Sequence, residues 1–180
     1  MTPAELIVAF VNTRELPDGV EVLDSPAGLE DWLDRNGLDR GGGPASEGDL
    51  VRAVELREAL RRLLLANTGL EVDTEPALAA LDLVARRARV ELRFGGGAGE
   101  LVPAGAGVTG ALGRIAIAVH AAQAEGTWER LKACRAADCE WAFLDTARNH
   151  ARAWCSMRSC GNREKARAFR ERQRERSSSR

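Results

Sequence analysis

The residues best suited to chemistry are four cysteines in the last quarter of the chain, Cys134, Cys139, Cys155 and Cys160. Their spacing is C-x4-C, fifteen residues, then C-x4-C. Two short-spaced pairs joined by a loop of that length bring four thiolates to one tetrahedral Zn²⁺, with no cysteine left over. Two disulfides or a set of redox thiols are the competing readings. The start of the chain, Met1-Thr2-Pro3-Ala4-Glu5, has neither a basic opening nor a long apolar run, so no signal peptide is visible. A reducing, cytoplasmic location is therefore expected, which favours metal over cross-link. Four cysteines would close the coordination shell, so one structural zinc is expected and not a catalytic one.

Other reactive groups are sparse. The two histidines are His120, in a helical stretch, and His150, which lies between the cysteine pairs and is a weaker competitor for the metal. No Ser-His-Asp, Cys-His or clustered-carboxylate pattern stands out, so no catalytic residue is named and no enzyme is expected. Gly105-Ala106-Gly107-Val108-Thr109-Gly110 matches G-x-G-x-x-G. A dinucleotide site also needs a buried parallel strand before the glycines and a second strand after the helix. Pro103 precedes them and Glu125-Gly126-Thr127 follows the helix, so a helix start packed with small residues is the better reading.

Charge singles out the same end of the chain. The net charge of −1 conceals a split: residues 1–128 carry 12 Lys/Arg and 20 Asp/Glu, and residues 129–180 carry 14 and 7. One dication on four thiolates would leave the tail near +5. Clustered cations gain free energy by releasing counterions from phosphates, so a nucleic acid is the expected partner of the tail. A final helix is expected from about Cys160 to Arg174, capped by Ser159 or Asn162. At 100° per residue, Arg163, Arg167, Arg170 and Arg174 share one narrow face, with Ala166 and Phe169 turned toward the body of the module. With Lys165, these arginines are the candidate nucleic-acid contacts. Glu164, Glu171 and Glu175 on the same helix could pair with some of them.

The elements that must position these groups are mostly helices. Thr2-Pro3-Ala4-Glu5 is a capping signal, followed by an apolar stripe of Leu6, Ile7, Phe10 and Val11. Ser25-Pro26 opens a second helix with Leu29, Trp32 and Leu33, ending near Gly37. After Gly41-Gly42-Gly43-Pro44, Ser46 and Asp49 open the longest helix, about 47–67, with Ala53, Leu56, Leu60 and Leu63 at helical spacing. A fourth helix, about 75–88, is expected to bury Leu78, Leu81 and Ala85. Val90-Glu91-Leu92-Arg93-Phe94 alternates as a strand, and Leu101-Val102 returns beside it. A fifth helix, about 108–124, carries Leu112, Ile115, Ala116 and Val119. Trp128 to Lys132 then leads as a strand into the first cysteine pair, and 140–145 returns. Trp141, Phe143 and Trp154 are expected to form a small core that zinc completes, with metal binding supplying about 10 kcal/mol or more of folding free energy.

Cys134-x4-Cys139, Trp154-Cys155-Ser156-Met157 and Cys160-Gly161-Asn162-Arg163 resemble the CGNR zinc-finger family. Phe10-Val11-Asn12-Thr13 and the helical region to about residue 125 are similar to the ABATE domain that precedes the finger in that family of stress-induced transcription regulators. The resemblance spans nearly the whole chain. It implies zinc ligation by Cys134, Cys139, Cys155 and Cys160, and DNA binding, with no catalytic residue and no known ligand.

The expected architecture is mainly α (α+β). It comprises a helical regulatory domain with a small β-hairpin at 1–126, a treble-clef-like four-cysteine zinc finger ending in a basic helix at 127–176, and a disordered tail at 177–180. The expected function is a zinc-dependent DNA-binding regulator, with a protein partner or small-molecule effector at the N-terminal domain and no membrane contact. The alternatives are a zinc-ordered protein-interaction adaptor or an RNA-binding protein, either with a small-molecule-sensing N-terminal domain.

Overall fold

The computed structural model describes residues 1–178 except 39, 40, 42 and 96. Helix α1 (Pro3–Val11) opens with a capping box, in which Thr2 and Glu5 satisfy each other's backbone N–H groups. A short hairpin follows, β1 (Arg14–Glu15) against β2 (Val20–Glu21). Helix α2 (Pro26–Arg35) is capped by Ser25, and α3 (Glu47–Ala66) by a second capping box of Ser46 and Asp49. Of the expected 41–44 loop, Gly42 lies outside the described residues.

Helix α4 (Glu75–Arg87) packs against α3 and against α5 (Gly107–Ala124). Between them stands an antiparallel hairpin of β3 (Val90–Phe94) and β4 (Gly99–Pro103). Pro103 ends the register opposite Val90, where its missing N–H falls at the strand terminus. The core joins Ile7, Phe10 and Val11 of α1, Leu29 and Leu33 of α2, Leu56, Leu60 and Leu64 of α3, and Ile115 and Val119 of α5. Phe10 and Trp32 meet at 5.2 Å between ring centroids.

The face of α4 differs from the expected one. Ala77 is its buried residue, Leu81 and Ala85 are half-buried, and Leu78 is exposed. Apolar residues occupy nearly every position from Ala77 to Ala85, so periodicity does not select one stripe. The small Ala77 takes the inward position.

The glycine-rich turn before α5 is a packing device. Its preceding strand belongs to an antiparallel hairpin, which excludes the parallel βαβ setting of a dinucleotide site. A Cβ on Gly110 would overlap the carbonyl oxygen of Gly105, and one on Gly113 would overlap the Ala88 side chain. Both glycines permit a close approach that a side chain would block.

Trp128–Arg130 forms a single 3₁₀ turn and not the expected start of a strand, so β5 is confined to Leu131–Ala133. It pairs with β6 (Ala142–Leu144). Leu131, Ala133 and Ala142 belong to the same core as the helices, with β5 against α3 and β6 against α1. This hairpin is thus built into the helical body and is not an appended module. The chain ends in a π-type turn, Met157–Gly161, and helix α6 (Asn162–Ser178). α6 runs past the expected end near Arg174 and through the first part of the expected 177–180 tail; residues 179 and 180 lie outside the described residues.

Candidate metal centre and nucleic-acid interface

The two cysteine pairs are presented by different structures. Cys134 follows β5 directly, and its N–H donates to the Trp141 carbonyl at 2.9 Å. The turn closes where the Cys139 and Glu140 N–H groups both donate to the Ala136 carbonyl, at 2.8 and 3.1 Å. Glu140 takes φ +48°, the left-handed conformation that turns the chain back toward β6. Cys155 precedes the cap of the π-type turn and Cys160 lies within the turn, next to its last residue. The cap is Ser156, whose hydroxyl accepts from the Ser159 N–H, and not Ser159 or Asn162 as expected. Asn162 instead donates its side-chain amide to the Arg158 carbonyl.

The four Sγ atoms lie within 4.8 Å of one another, and all four cysteines are free thiols. Cys139 and Cys155 are 3.6 Å apart, and Cys155 and Cys160 are 3.7 Å apart. A disulfide needs about 2.05 Å. Tetrahedral zinc with Zn–S near 2.3 Å requires sulfurs about 3.8 Å apart, so the arrangement fits the metal. His150 is exposed and outside the cluster, as is His120.

The electrostatics ask for the same cation. Burial, followed by the nearby Cys134, pushes the Cys139 thiol up to about 11. Burial and the neighbouring thiols also push Cys155 well above its ordinary value. Burial opposes ionisation at Cys160 too, but hydrogen bonds from the other three cysteines and Ser159 outweigh it and hold that thiol low. Thiols this crowded resist becoming four thiolates together, and a coordinated dication supplies the compensating charge. Trp141 and Trp154 pack against the cluster. Phe143 does not join them as expected; the Arg152 guanidinium covers its ring at 4.8 Å.

The loop between the pairs is held by a buried ion pair that periodicity could not disclose. Lys132 Nζ donates to Asp145 Oδ2 at 2.8 Å and also reaches the carbonyls of His150 and Arg152. Asp145 is fully buried and accepts from the N–H groups of Ala147 and Arg152. Burial alone would raise its pKa, but Lys132 and those two amides outweigh it and hold the carboxyl below its ordinary range.

Polar side chains of the helical body tie down the first pair. Arg61 of α3 donates to the carbonyls of Glu140 at 2.9 Å and Val11 at 2.7 Å, and to Glu58 at 3.0 Å. Asn67 donates to the carbonyls of Trp128 and Leu131, both at 2.9 Å, and Arg135 donates to the Thr68 carbonyl. Asn12 pairs with Ala142 through its amide. Asn12 lies in the Phe10-Val11-Asn12-Thr13 run and Arg135 inside the first cysteine pair, whereas no sequence pattern singles out Arg61 in α3 or Asn67 at its end.

The candidate nucleic-acid residues divide into two groups. Arg163 donates to Asp138 at 2.9 Å and lies 3.5 Å from Cys160 Sγ, while Arg167 pairs with Glu164 and lies 3.7 Å from Asp138. Asp138, inside the first cysteine pair, carries no signal in the sequence that would single it out. Lys165, Arg170 and Arg174 are exposed and form no ion pair among the described residues. The expected anchoring face of the helix is corrected: Ala166 is exposed and Phe169 is 56% exposed, while Glu164 and Ala168 are the half-buried positions. α6 is therefore fixed at its start, beside the cysteines, and its body stands out from the protein.

Two family models match the chain. Residues 4–138 match ABATE, "Putative stress-induced transcription regulator", and residues 130–173 match the CGNR zinc finger. The matches overlap at residues 130–138, which hold β5 and Cys134 but stop short of Cys139. No curated protein matches the chain. Among the described residues no helix is long and apolar enough to cross a membrane.

Proposed function

The chain belongs to the ABATE family and carries a CGNR zinc finger, and from that footing we propose that it is a DNA-binding transcription regulator, not an enzyme, whose contact element is α6. The observation that carries this reading is the form of α6. It holds seven Lys/Arg and three Glu, is secured at one end beside four metal-competent thiols, and leaves Lys165, Arg170 and Arg174 free in solvent. A rigidly based cationic rod suits a phosphate backbone or groove, because fixing its start removes orientational freedom before contact.

One structural zinc held by Cys134, Cys139, Cys155 and Cys160 would set the angle at which α6 leaves the body. Arg163 and Arg167 serve the base of the helix through Asp138 and reach phosphate only by exchanging that partner. The outer cations, Lys165, Arg170 and Arg174, are the principal contacts. The helical body reaches the first cysteine pair through Asn12, Arg61 and Asn67, so a partner or effector bound to the body has a direct mechanical route to the finger.

Phe169 favours a second reading. A large apolar side chain exposed on a free helix suits a protein groove, which would make α6 a docking element ordered by zinc. Crosslinking the protein to chromosomal sites in cells separates the two readings. Enrichment at promoters supports the DNA-binding regulator, and recovery without preferred sites supports docking.

A further inference from the structure

The β3–β4 hairpin presents a feature that the finger does not use. On one face lie Val90, Leu92 and Phe94, with Gly99, Leu101 and Pro103 opposite them across the register. The inner end of that face is half-buried against the body, but Leu92 is 57% exposed and Phe94 is 78% exposed. α5 packs on β4, and β3 pairs with no strand but β4 among the described residues. An exposed strand edge offers unpaired backbone groups to another strand.

We infer that β3 pairs with β3 of a second copy of this chain, antiparallel and centred on Leu92, giving a two-fold symmetric dimer with a continuous four-stranded sheet. Self-complementarity points to a second copy as the occupant. Antiparallel pairing about Leu92 places Glu91 opposite Arg93 of the other copy, and Arg93 opposite its Glu91. Leu92 meets its own equivalent, and Val90 faces Phe94. The Glu91–Arg93 and Val90–Phe94 pairs each occur twice by symmetry, and the Leu92 pair lies once on the axis. In-register parallel pairing would instead set Glu91 beside Glu91 and Arg93 beside Arg93, which like-charge repulsion opposes. Charged residues on a strand edge commonly block association, yet these two sit equidistant from the centre with opposite signs. Within one copy they are already arranged on the same face, 3.6 Å apart.

Sedimentation equilibrium on the zinc-loaded full chain, without DNA, tests the inference. The unmodified protein should show a monomer–dimer equilibrium. Glu91→Arg should bring Arg against Arg93 at both symmetric positions and weaken dimerisation by about tenfold. Arg93→Glu should do the same by opposing carboxylates. The double variant Glu91→Arg/Arg93→Glu is made together with Glu100→Arg, so that position 93 keeps an opposite charge across its own hairpin. This combined variant should restore the original affinity, because the complementary pattern returns with its signs reversed. All three positions are exposed, and circular dichroism checks that each variant folds. A monomer at all concentrations, single variants that dimerise normally, or a combined variant that fails to recover would each overturn the inference. DNA affinity does not enter these readouts, so they stand apart from the function proposed for α6.

Discussion

Asn12 and Ala142 exchange two hydrogen bonds, at 2.9 and 2.8 Å, across 130 residues of sequence. The side-chain amide at the end of α1 imitates a neighbouring strand and satisfies both backbone groups of Ala142 in β6. Asn12→Ala should lower stability by about 1–3 kcal/mol, since it strands a donor and an acceptor. Asn12→Asp should cost more, because a carboxylate turns its lone pairs on the Ala142 carbonyl. Urea unfolding measures the loss, and amide exchange at Ala142 should accelerate in both variants.

Removing the metal should unfold only part of the finger. Leu131, Ala133 and Ala142 sit in the main core and are held independently of the cysteines. Chelation should therefore release residues from about Trp154 onward while α1 to β6 remain protected. Hydrogen exchange with mass spectrometry reads the boundary. Global unfolding on chelation would show that the hairpin depends on zinc as a small isolated finger would.

Asp145 links the loop to pH. Its folded carboxyl is held below its ordinary range. The unfolded chain therefore takes up the proton first, near pH ~3.9. The stabilisation is fully present above that value and is lost as pH falls through the lower folded one. The stability difference between the native protein and Asp145→Asn should be flat from pH 8 to about pH 5 and should shrink below about pH 4. Thiolate protonation also weakens the finger in acid, but it acts on both proteins and leaves the difference as the readout. A gap that widened on acidification would contradict the assignment.

Gly110→Ala should destabilise the body by about 1–3 kcal/mol, because its Cβ meets the Gly105 carbonyl, a backbone atom that cannot swing aside. Thermal melts with and without nucleotides check this. The drop should be the same in both, as expected of a packing glycine.

How far the residues alone disclose the structure depends on the kind of interaction. Local, short-range signals are legible: Thr2 with Glu5 and Ser46 with Asp49 form the two expected capping boxes. The gathering of the four cysteines is legible too, because two short-spaced pairs leave few other arrangements. Arg61, Asn67 and Lys132 are not, since a buried polar side chain joins elements far apart in sequence and follows no period. Helix α4 defeats periodicity by being apolar on more than one side. On α6 the hydrophobic pattern points to an anchor at Phe169, whereas the helix is held at its start through Arg163, Asp138 and Cys160, and that side chain stays in solvent.

Whether α6 grips phosphates while the four cysteines hold its base is decided by fluorescence anisotropy. The zinc-loaded protein is titrated on duplex DNA between about 50 and 200 mM salt, alongside Arg170→Ala/Arg174→Ala. Affinity should fall steeply with salt, and the double variant should bind more weakly with a log–log slope shallower by about 2 and unchanged zinc content. Salt-independent binding, or a variant that binds as tightly as the native protein, would refute the assignment of α6.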